Sequence, residues 1–265
     1  MTFKNKVCWV TGASSGIGEA LSFEMAKSGA RLVLSARRLE QLNRVKDKCL
    51  SLGATDVLLI PIDLSNSDSI NEGFKAFVEK YDSVDYLVNN GGISQRGLVK
   101  DTPVDIDRKV LEVNFFGAVT LTKLVLPMML KKGSGNISAT SSLVGKFGFP
   151  LRSAYSASKH AIQGFYESLR TEVQKDGVYI SILIPGRVKT EISVNAVEAD
   201  GSKHGKMDEG QDQGISSEKA ARIIAKGLLK NKREIEVGGK ELLMIQIRRF
   251  IPSLFYKIVA RIKHT

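Results

Sequence analysis

Thr11-Gly12-Ala13-Ser14-Ser15-Gly16-Ile17-Gly18 follows directly on the apolar run Val7-Cys8-Trp9-Val10 and leads into a helical pattern. Strand, glycine turn and helix in that order make a phosphate-binding unit. Gly12 allows the tight turn, Gly16 lets backbone approach a pyrophosphate, and Gly18 permits close helix–strand packing. Ser14, Ser15 and Ile17 stand at the helix entry, where unpaired N–H groups favour phosphate charge. The same letters also fit Gly-x-Ser-x-Gly, the nucleophile elbow of α/β-hydrolases. Only eleven residues precede Gly12, too few for the strand and loop that such an elbow needs, and the hydrolase is set aside.

Outward from this turn, short apolar runs alternate with amphipathic segments. Residues 7–10, 31–35, 57–60, 86–89, 136–140, 179–184 and 235–237 read as strands. Leu21, Met25 and Ala26 mark one helical face, and Leu39, Leu42, Val45 and Leu50 another, with Gly29, Gly53 and Gly177 at helix ends. Continuous rather than alternating strands suit a sheet covered on both faces. The expectation is an α/β chain: one Rossmann-fold domain over 1–241, a doubly wound seven-stranded parallel sheet flanked by helices. Polar residues 187–215 read as a substrate lid and 242–265 as a basic amphipathic extension.

The end of the second strand decides which dinucleotide fits. Ser35-Ala36-Arg37-Arg38 offers two guanidiniums and no carboxylate, which favours a ribose 2′-phosphate and hence NADP(H). Asp63 and Leu64, after the third strand, are then expected beside the adenine.

Tyr155 and Lys159 stand one helical turn apart on one face. Of the six tyrosines, Tyr155 alone has lysine four residues on. Ser142 lies thirteen residues before it and Asn114 further upstream. A free phenol titrates at about 10 and needs a cation nearby to serve as an acid or base near neutral pH. Lys159 is placed to supply that charge, and Ser142 to stabilise charge on a substrate oxygen.

With these pieces assembled, the chain resembles the short-chain dehydrogenase/reductase family. The matching segments are Thr11–Gly18, Asn89-Asn90-Gly91-Gly92, Asn114, Ser141-Ser142, Tyr155 with Lys159, and Pro185-Gly186, in family order from about residue 11 to 190. Asn89 to Arg96 and Ser158-Lys159-His160-Ala161 look most like the member-7 group, itself similar to 11β-hydroxysteroid dehydrogenases. Gly91 stands where the family usually has Ala, and an N-terminal membrane anchor like that of those relatives is not expected here. The resemblance implies that Tyr155 transfers the proton, that Ser142 rather than Ser141 holds the substrate oxygen, and that Asn114 orders a water relay from Lys159. It implies cofactor contacts at Asn90, Gly91, Pro185, Gly186, Val188 and Thr190. Ser94, Gln95, Phe147, Phe149 and Leu151 become pocket walls, suggesting a lipophilic carbonyl or alcohol such as a steroid, retinoid or acyl chain.

The 265 residues carry 39 basic and 28 acidic side chains, a surplus of +11. That balance admits nucleic acid, an anionic membrane or anionic small molecules. No recognised nucleic-acid module is present, so that partner is set aside. Cys8 and Cys49 are too few for a disulfide framework, and the histidines (His160, His204, His264) are too scattered for a zinc site; no metal is expected. His204 reads as a solvated lid residue, with substrate contact as the alternative. No signal peptide and no uninterrupted apolar run long enough to span a bilayer are apparent, which suggests a cytoplasmic protein. The extension interleaves Arg248, Arg249, Lys257, Arg261 and Lys263 with Ile245, Ile247, Phe250, Ile251, Leu254, Phe255, Ile258 and Val259, a pattern suited to peripheral membrane contact or to a partner subunit. The functional expectation is an NADP(H)-dependent alcohol/ketone oxidoreductase, assembled as a homodimer or homotetramer. The alternative is a catalytically silent NADP(H)-binding sensor or scaffold.

Overall fold

Along the first strand, β1 (Val7–Thr11), Cys8 and Val10 enter one apolar cluster while Val7 and Trp9 enter another. A strand apolar on both faces must be covered on both, and this requirement organises the whole sheet. The computed structural model describes residues 2–261. The main strands are β1, β2 (Arg31–Ala36), β3 (Asp56–Pro61), β4 (Tyr86–Asn89), β6 (Gly135–Thr140), β7 (Val178–Pro185) and β9 (Glu234–Val237). They run in the order β3-β2-β1-β4-β6-β7-β9, with every neighbouring pair parallel. The seven expected strands are therefore all present, in a single Rossmann-like domain. Two short strands missed in the sequence, β5 (Gln95–Arg96) and β8 (Val197–Glu198), form a separate parallel pair.

Helices α1 (Gly16–Ala26), α2 (Leu39–Ser51) and α8 (Ser217–Leu229) cover one face through Leu21, Met25, Leu42, Val45, Ile224 and Leu228. On α2 the inward stripe is Leu42, Val45 and Cys49, whereas Leu39 and Leu50 are exposed. Of the expected face, Leu42 and Val45 are inward, and Cys49, four residues after Val45, continues the stripe in place of Leu50. The other face carries α3 (Ser67–Val78), α5 (Gly117–Lys132) and α6 (Ser153–Val173). There Trp9 stacks on Phe77 at 4.6 Å and donates its Nε1–H to Ser35 Oγ at 2.9 Å. Both cysteines are free and buried. Burial pushes the Cys49 thiol up to about 12 and raises that of Cys8 as well.

Helix α4 (Val104–Leu111) continues through a π-helical turn, Glu112–Phe116, into α5. Together they form one 29-residue helix long and apolar enough by composition to cross a bilayer. Its residues Ala118, Leu121, Val125 and Met129 are nonetheless core. The segment 187–215 is folded rather than loose, with β8 and the short α7 (Glu209–Asp212), and Val188 bridges Ile215. Beyond β9 come α9 (Leu243–Phe250) and α10 (Pro252–Val259), parted at Pro252. Phe255 of α10 is buried against Phe147 at 4.7 Å. Residues 262–265, with Ile262, Lys263 and His264, lie outside the described part of the chain.

Candidate active site

The chain reverses its direction of sheet growth between β1 and β4, so a crevice opens at the carboxyl ends of these neighbours. The glycine turn occupies its rim. Gly12 and Gly16 have φ of +65° and +59°, backbone that glycine adopts without strain. A Cβ on Gly12 would come within 2.7 Å of Gly91 Cα, one on Gly16 within 3.1 Å of Thr190 Cγ2, and one on Gly18 would collide with the Gly12 carbonyl. Ser15 caps α1 without a side-chain hydrogen bond, so the first N–H groups of the helix remain open to an anion. Thr11 Oγ1 accepts from the N–H groups of Asn90 and Gly91, both at 3.0 Å, and Asn90 Nδ2 donates to Thr11 O at 3.2 Å. These bonds fasten the glycine turn to the end of β4. Gly91, the departure from the family's Ala, leaves room for Leu64 Cδ1.

The crevice deepens into a cleft of about 560 Å³. Its rim includes Ser14, Ser15, Gly16, Ile17, Arg37 and Arg38, and its side Asp63, Leu64, Asn90 and Gly91. Asp63 accepts from the N–H and hydroxyl of Ser65 at 2.9 and 2.7 Å. Burial works to raise its carboxyl, but those donors and the Arg37 charge hold it below the usual range. Open helix N–H groups, a turn with no room for side chains and two guanidiniums at the β2 end suit a phosphate-bearing dinucleotide.

At the inner end of the same cleft stand Ser142, Tyr155 and Lys159. The buried stripe of α6 runs Val173, Leu169, Tyr166 and Ile162 down the sheet, then continues upward as Lys159 and Tyr155. The helix thus delivers both polar groups to the cleft on its core-facing side. Lys159 Nζ donates to Thr140 O at 2.7 Å and lies 5.5 Å from the centre of the Tyr155 ring. Burial lowers the Lys159 ammonium to about 8. Burial also raises the Tyr155 phenol, while the facing Ser142 hydroxyl and the charges of Arg152 and Arg96 pull it part of the way back. Ser142 caps the turn Leu143–Gly145 and donates to Pro185 O at 3.4 Å. Ser141 is instead spent on α6, donating to Lys159 O at 2.9 Å and accepting from Gln163 at 3.1 Å.

Several expected residues do not line the cleft itself. Asn114 is buried in the π-helical turn and does not line the cleft. Its Oδ1 accepts from Ile93 N–H at 2.8 Å, and its Nδ2 donates to Ile93 O at 2.9 Å and Ser158 Oγ at 3.0 Å. It holds the strand-end loop at Ile93 and sits beside the catalytic-end lysine, since a Cβ on Gly92 would lie 2.9 Å from Asn114 Oδ1 and 3.5 Å from Lys159 Nζ. Gln95 is fully buried and turned toward Gly97 O and Thr102. Phe149 lies beneath Arg152, and Phe147 packs on α10. Of the expected pocket walls, only Ser94 faces the cleft, because the loop containing Gln95 pairs with β8 and turns that amide inward. His204 is not free in solvent: it bonds Glu198 and lies 3.5 Å from Asp208.

The sequence reading missed Arg96, Arg152 and Asp208. Arg96 is buried, Arg152 stands at the mouth of α6, and both donate to Asp208 Oδ2 of the 187–215 segment, Arg152 at 2.7 Å. It also missed Glu241, whose carboxylate accepts from Arg187 N–H at 2.8 Å and Gly239 N–H at 3.0 Å and so ties the start of the 187–215 segment to the end of β9. Only the position of Arg152, three residues before Tyr155, offered a signal. Pro185, Gly186, Val188 and Thr190 all border the cleft. Among the described residues there is no cluster of His, Cys, Asp and Glu suited to a metal ion.

Residues 6–201 match the family described as short chain dehydrogenase. A dehydrogenase/reductase SDR family protein 7-like of Drosophila melanogaster is 44% identical over 260 residues, covering 97% of this chain and 80% of that protein. The mouse dehydrogenase/reductase SDR family member 7B is 39% identical, covering 97% and 81%. Among solved structures, a short-chain dehydrogenase/reductase from Burkholderia phymatum in complex with NAD shares the fold, with TM-score 0.83, 24% identity and 96% coverage of each chain. An alcohol dehydrogenase from the archaeon Thermococcus sibiricus, complexed with 5-hydroxy-NADP, superposes with TM-score 0.77 at 26% identity, covering 90% of this chain and 98% of that one.

Proposed function

Because this chain belongs to the short-chain dehydrogenase/reductase family of oxidoreductases, we propose that it interconverts an alcohol and a ketone or aldehyde with NADP(H), using Tyr155 as the acid/base group. The observation that carries the reading is the meeting of Ser142, Tyr155 and Lys159 in the cleft whose rim holds the glycine turn and Arg37–Arg38. The dinucleotide, when bound, supplies or accepts the hydride. In reduction, Tyr155 Oη gives its proton to the carbonyl oxygen, and Ser142 Oγ hydrogen-bonds that oxygen as charge develops on it. Lys159 holds a positive charge under the phenol and reaches the ribose at the nicotinamide end. The 2′-phosphate falls to Arg37 and Arg38, the adenine to Asp63 and Leu64, and the nicotinamide end to Pro185, Gly186, Val188 and Thr190.

The cleft side that faces substrate mixes Ile93, Val113 and Ile192 with Lys109 and Lys203. A lipophilic carbonyl compound with a polar reacting end suits that mixture. The same reading makes this a cytoplasmic homo-oligomer, a dimer or tetramer, peripheral to membranes through α9 and α10. Cofactor choice is tested by steady-state kinetics on a ketone that the protein reduces. NADPH should exceed NADH in kcat/KM by about tenfold or more, the worth of one charge-assisted hydrogen bond. Replacing both Arg37 and Arg38 by Glu should remove that preference. Equal use of both dinucleotides by the wild type would withdraw NADP(H) and leave the oxidoreductase.

A further inference from the structure

The lid of this protein is tied across the mouth of the cleft by charge. Asp208 lies just ahead of α7, and its Oδ2 accepts from Nη2 of Arg96 and from Nη2 of Arg152. Arg96 belongs to β5 and Arg152 directly precedes α6, so a single lid carboxylate joins two elements that flank Tyr155. Ser193 Oγ accepts from Asp208 N–H at 3.3 Å and fixes the backbone behind the carboxylate. Arg96 is anchored further, donating from Nη1 to Ser94 Oγ at 2.7 Å and to Gln95 O at 2.8 Å. Its Nε is buried with no partner. Two guanidiniums share one carboxylate, so positive charge remains on the cleft side that carries Tyr155.

We propose that Arg96 and Arg152, clasped by Asp208, are positioning residues that govern the proton exchange of Tyr155 and make it depend on the lid being closed. The inference rests on Tyr155 being the acid/base group. A phenol in a buried site ionises only if cationic charge offsets the loss of water. The sequence assigned that duty to Lys159, whose ammonium points to Thr140 O and lies at 5.5 Å from the centre of the phenol ring. Arg96 and Arg152 line the same cleft as Tyr155, Arg152 three residues ahead of it on the entry to α6, and the charge of each favours the ionised phenol against burial. The other charged groups around the phenol are Lys159 on the same helix, Lys109 and Lys203 along the cleft, and Arg187 facing Arg152. Behind Asp208 stand His204 and Glu198. Withdrawal of Asp208 with an opening lid takes its neutralising charge away from the two guanidiniums and so favours the ionised phenol. The side chain that closes the site therefore also sets the strength of its acid.

The test follows Tyr155 itself, so no substrate is required. Protein labelled with carbon-13 at the tyrosine ring carbon bearing oxygen is titrated by NMR with NADP+ present, and the Tyr155 resonance is assigned by its loss in Tyr155→Phe. Arg152→Gln should move the Tyr155 midpoint upward by about one pH unit, and Arg152→Lys should leave it near the wild-type position. Asp208→Asn, which removes the neutralising charge, should move it downward. Arg96→Gln should act as Arg152→Gln does; because Arg96 is buried, the more exposed Arg152 carries the test if that variant does not fold. An unchanged midpoint in Arg152→Gln and in Asp208→Asn overturns the proposal and leaves a purely mechanical latch. Failure of the underlying reading is distinct: Tyr155→Phe would then turn over ketone at the wild-type rate, whatever the titration shows.

Discussion

Lys159 concentrates the conflict between stability and function at one residue. A buried ammonium whose one hydrogen-bond partner among the described residues is a carbonyl costs folding free energy, and its lowered value of about 8 expresses that cost. Below pH 8 both folded and unfolded chains hold the proton, and the penalty is complete. As pH rises through 8 the folded protein releases the proton before the unfolded one, whose lysine titrates at about 10.4, so stability should increase over that interval. Lys159→Met should accordingly stabilise the fold at pH 7 by about 1–2 kcal/mol, part of the gain being offset by the lost bond to Thr140 O, while turnover disappears. Thermal unfolding of both forms checks this, and a lower midpoint for the variant would contradict it. Tyr155, Lys159 and Ser142 were legible because helical periodicity and chain order bring them together. Arg96 and Asp208 were not: they are separated by 112 positions, and no local pattern relates them.

Among the elements, the strands were the easiest to read, since runs such as Leu32-Val33-Leu34 are apolar on both sides and have no other use. The two-residue strands β5 and β8 are too short to leave a pattern, yet their pairing decides that Gln95 turns inward. The π-helical turn at Asn114 was equally silent, because one extra residue in a turn changes no composition. The terminal helices carry a prediction of their own. Phe255 pins α10 to Phe147, while Phe250 is 70% exposed and Tyr256 57% exposed, beside Arg248, Arg249 and Lys257. No acidic residue occurs after Glu241. Such a surface suits an anionic bilayer. The full chain should co-sediment with phosphatidylserine vesicles at low salt and be released at high salt, and Arg248→Glu with Arg249→Glu should abolish binding. Indifference to these vesicles at low salt would remove the membrane and leave a partner subunit as the occupant of that face.

At the scale of the whole molecule, the parallel order β3-β2-β1-β4-β6-β7-β9 places every strand end that matters on one edge. The glycine turn follows β1, the guanidiniums β2, Asp63 β3, Asn90 β4, Ser142 β6, and Pro185 closes β7. Alternation of strand and helix made this legible, because right-handed crossovers leave little choice of topology. The segment 187–215 was legible only as a polar stretch set apart from the sheet; its internal fold, with β8 and α7, was not, because its sequence is without period. The central claim is that Tyr155 transfers the proton in a reaction for which this cleft holds the dinucleotide. Its most direct test is NADPH oxidation with a ketone that the wild-type protein reduces, measured beside Tyr155→Phe with dinucleotide binding followed in both. Loss of turnover by about a hundredfold or more, with binding retained, is the result this account predicts. A Tyr155→Phe protein that binds NADPH and reduces the ketone at the wild-type rate would contradict it.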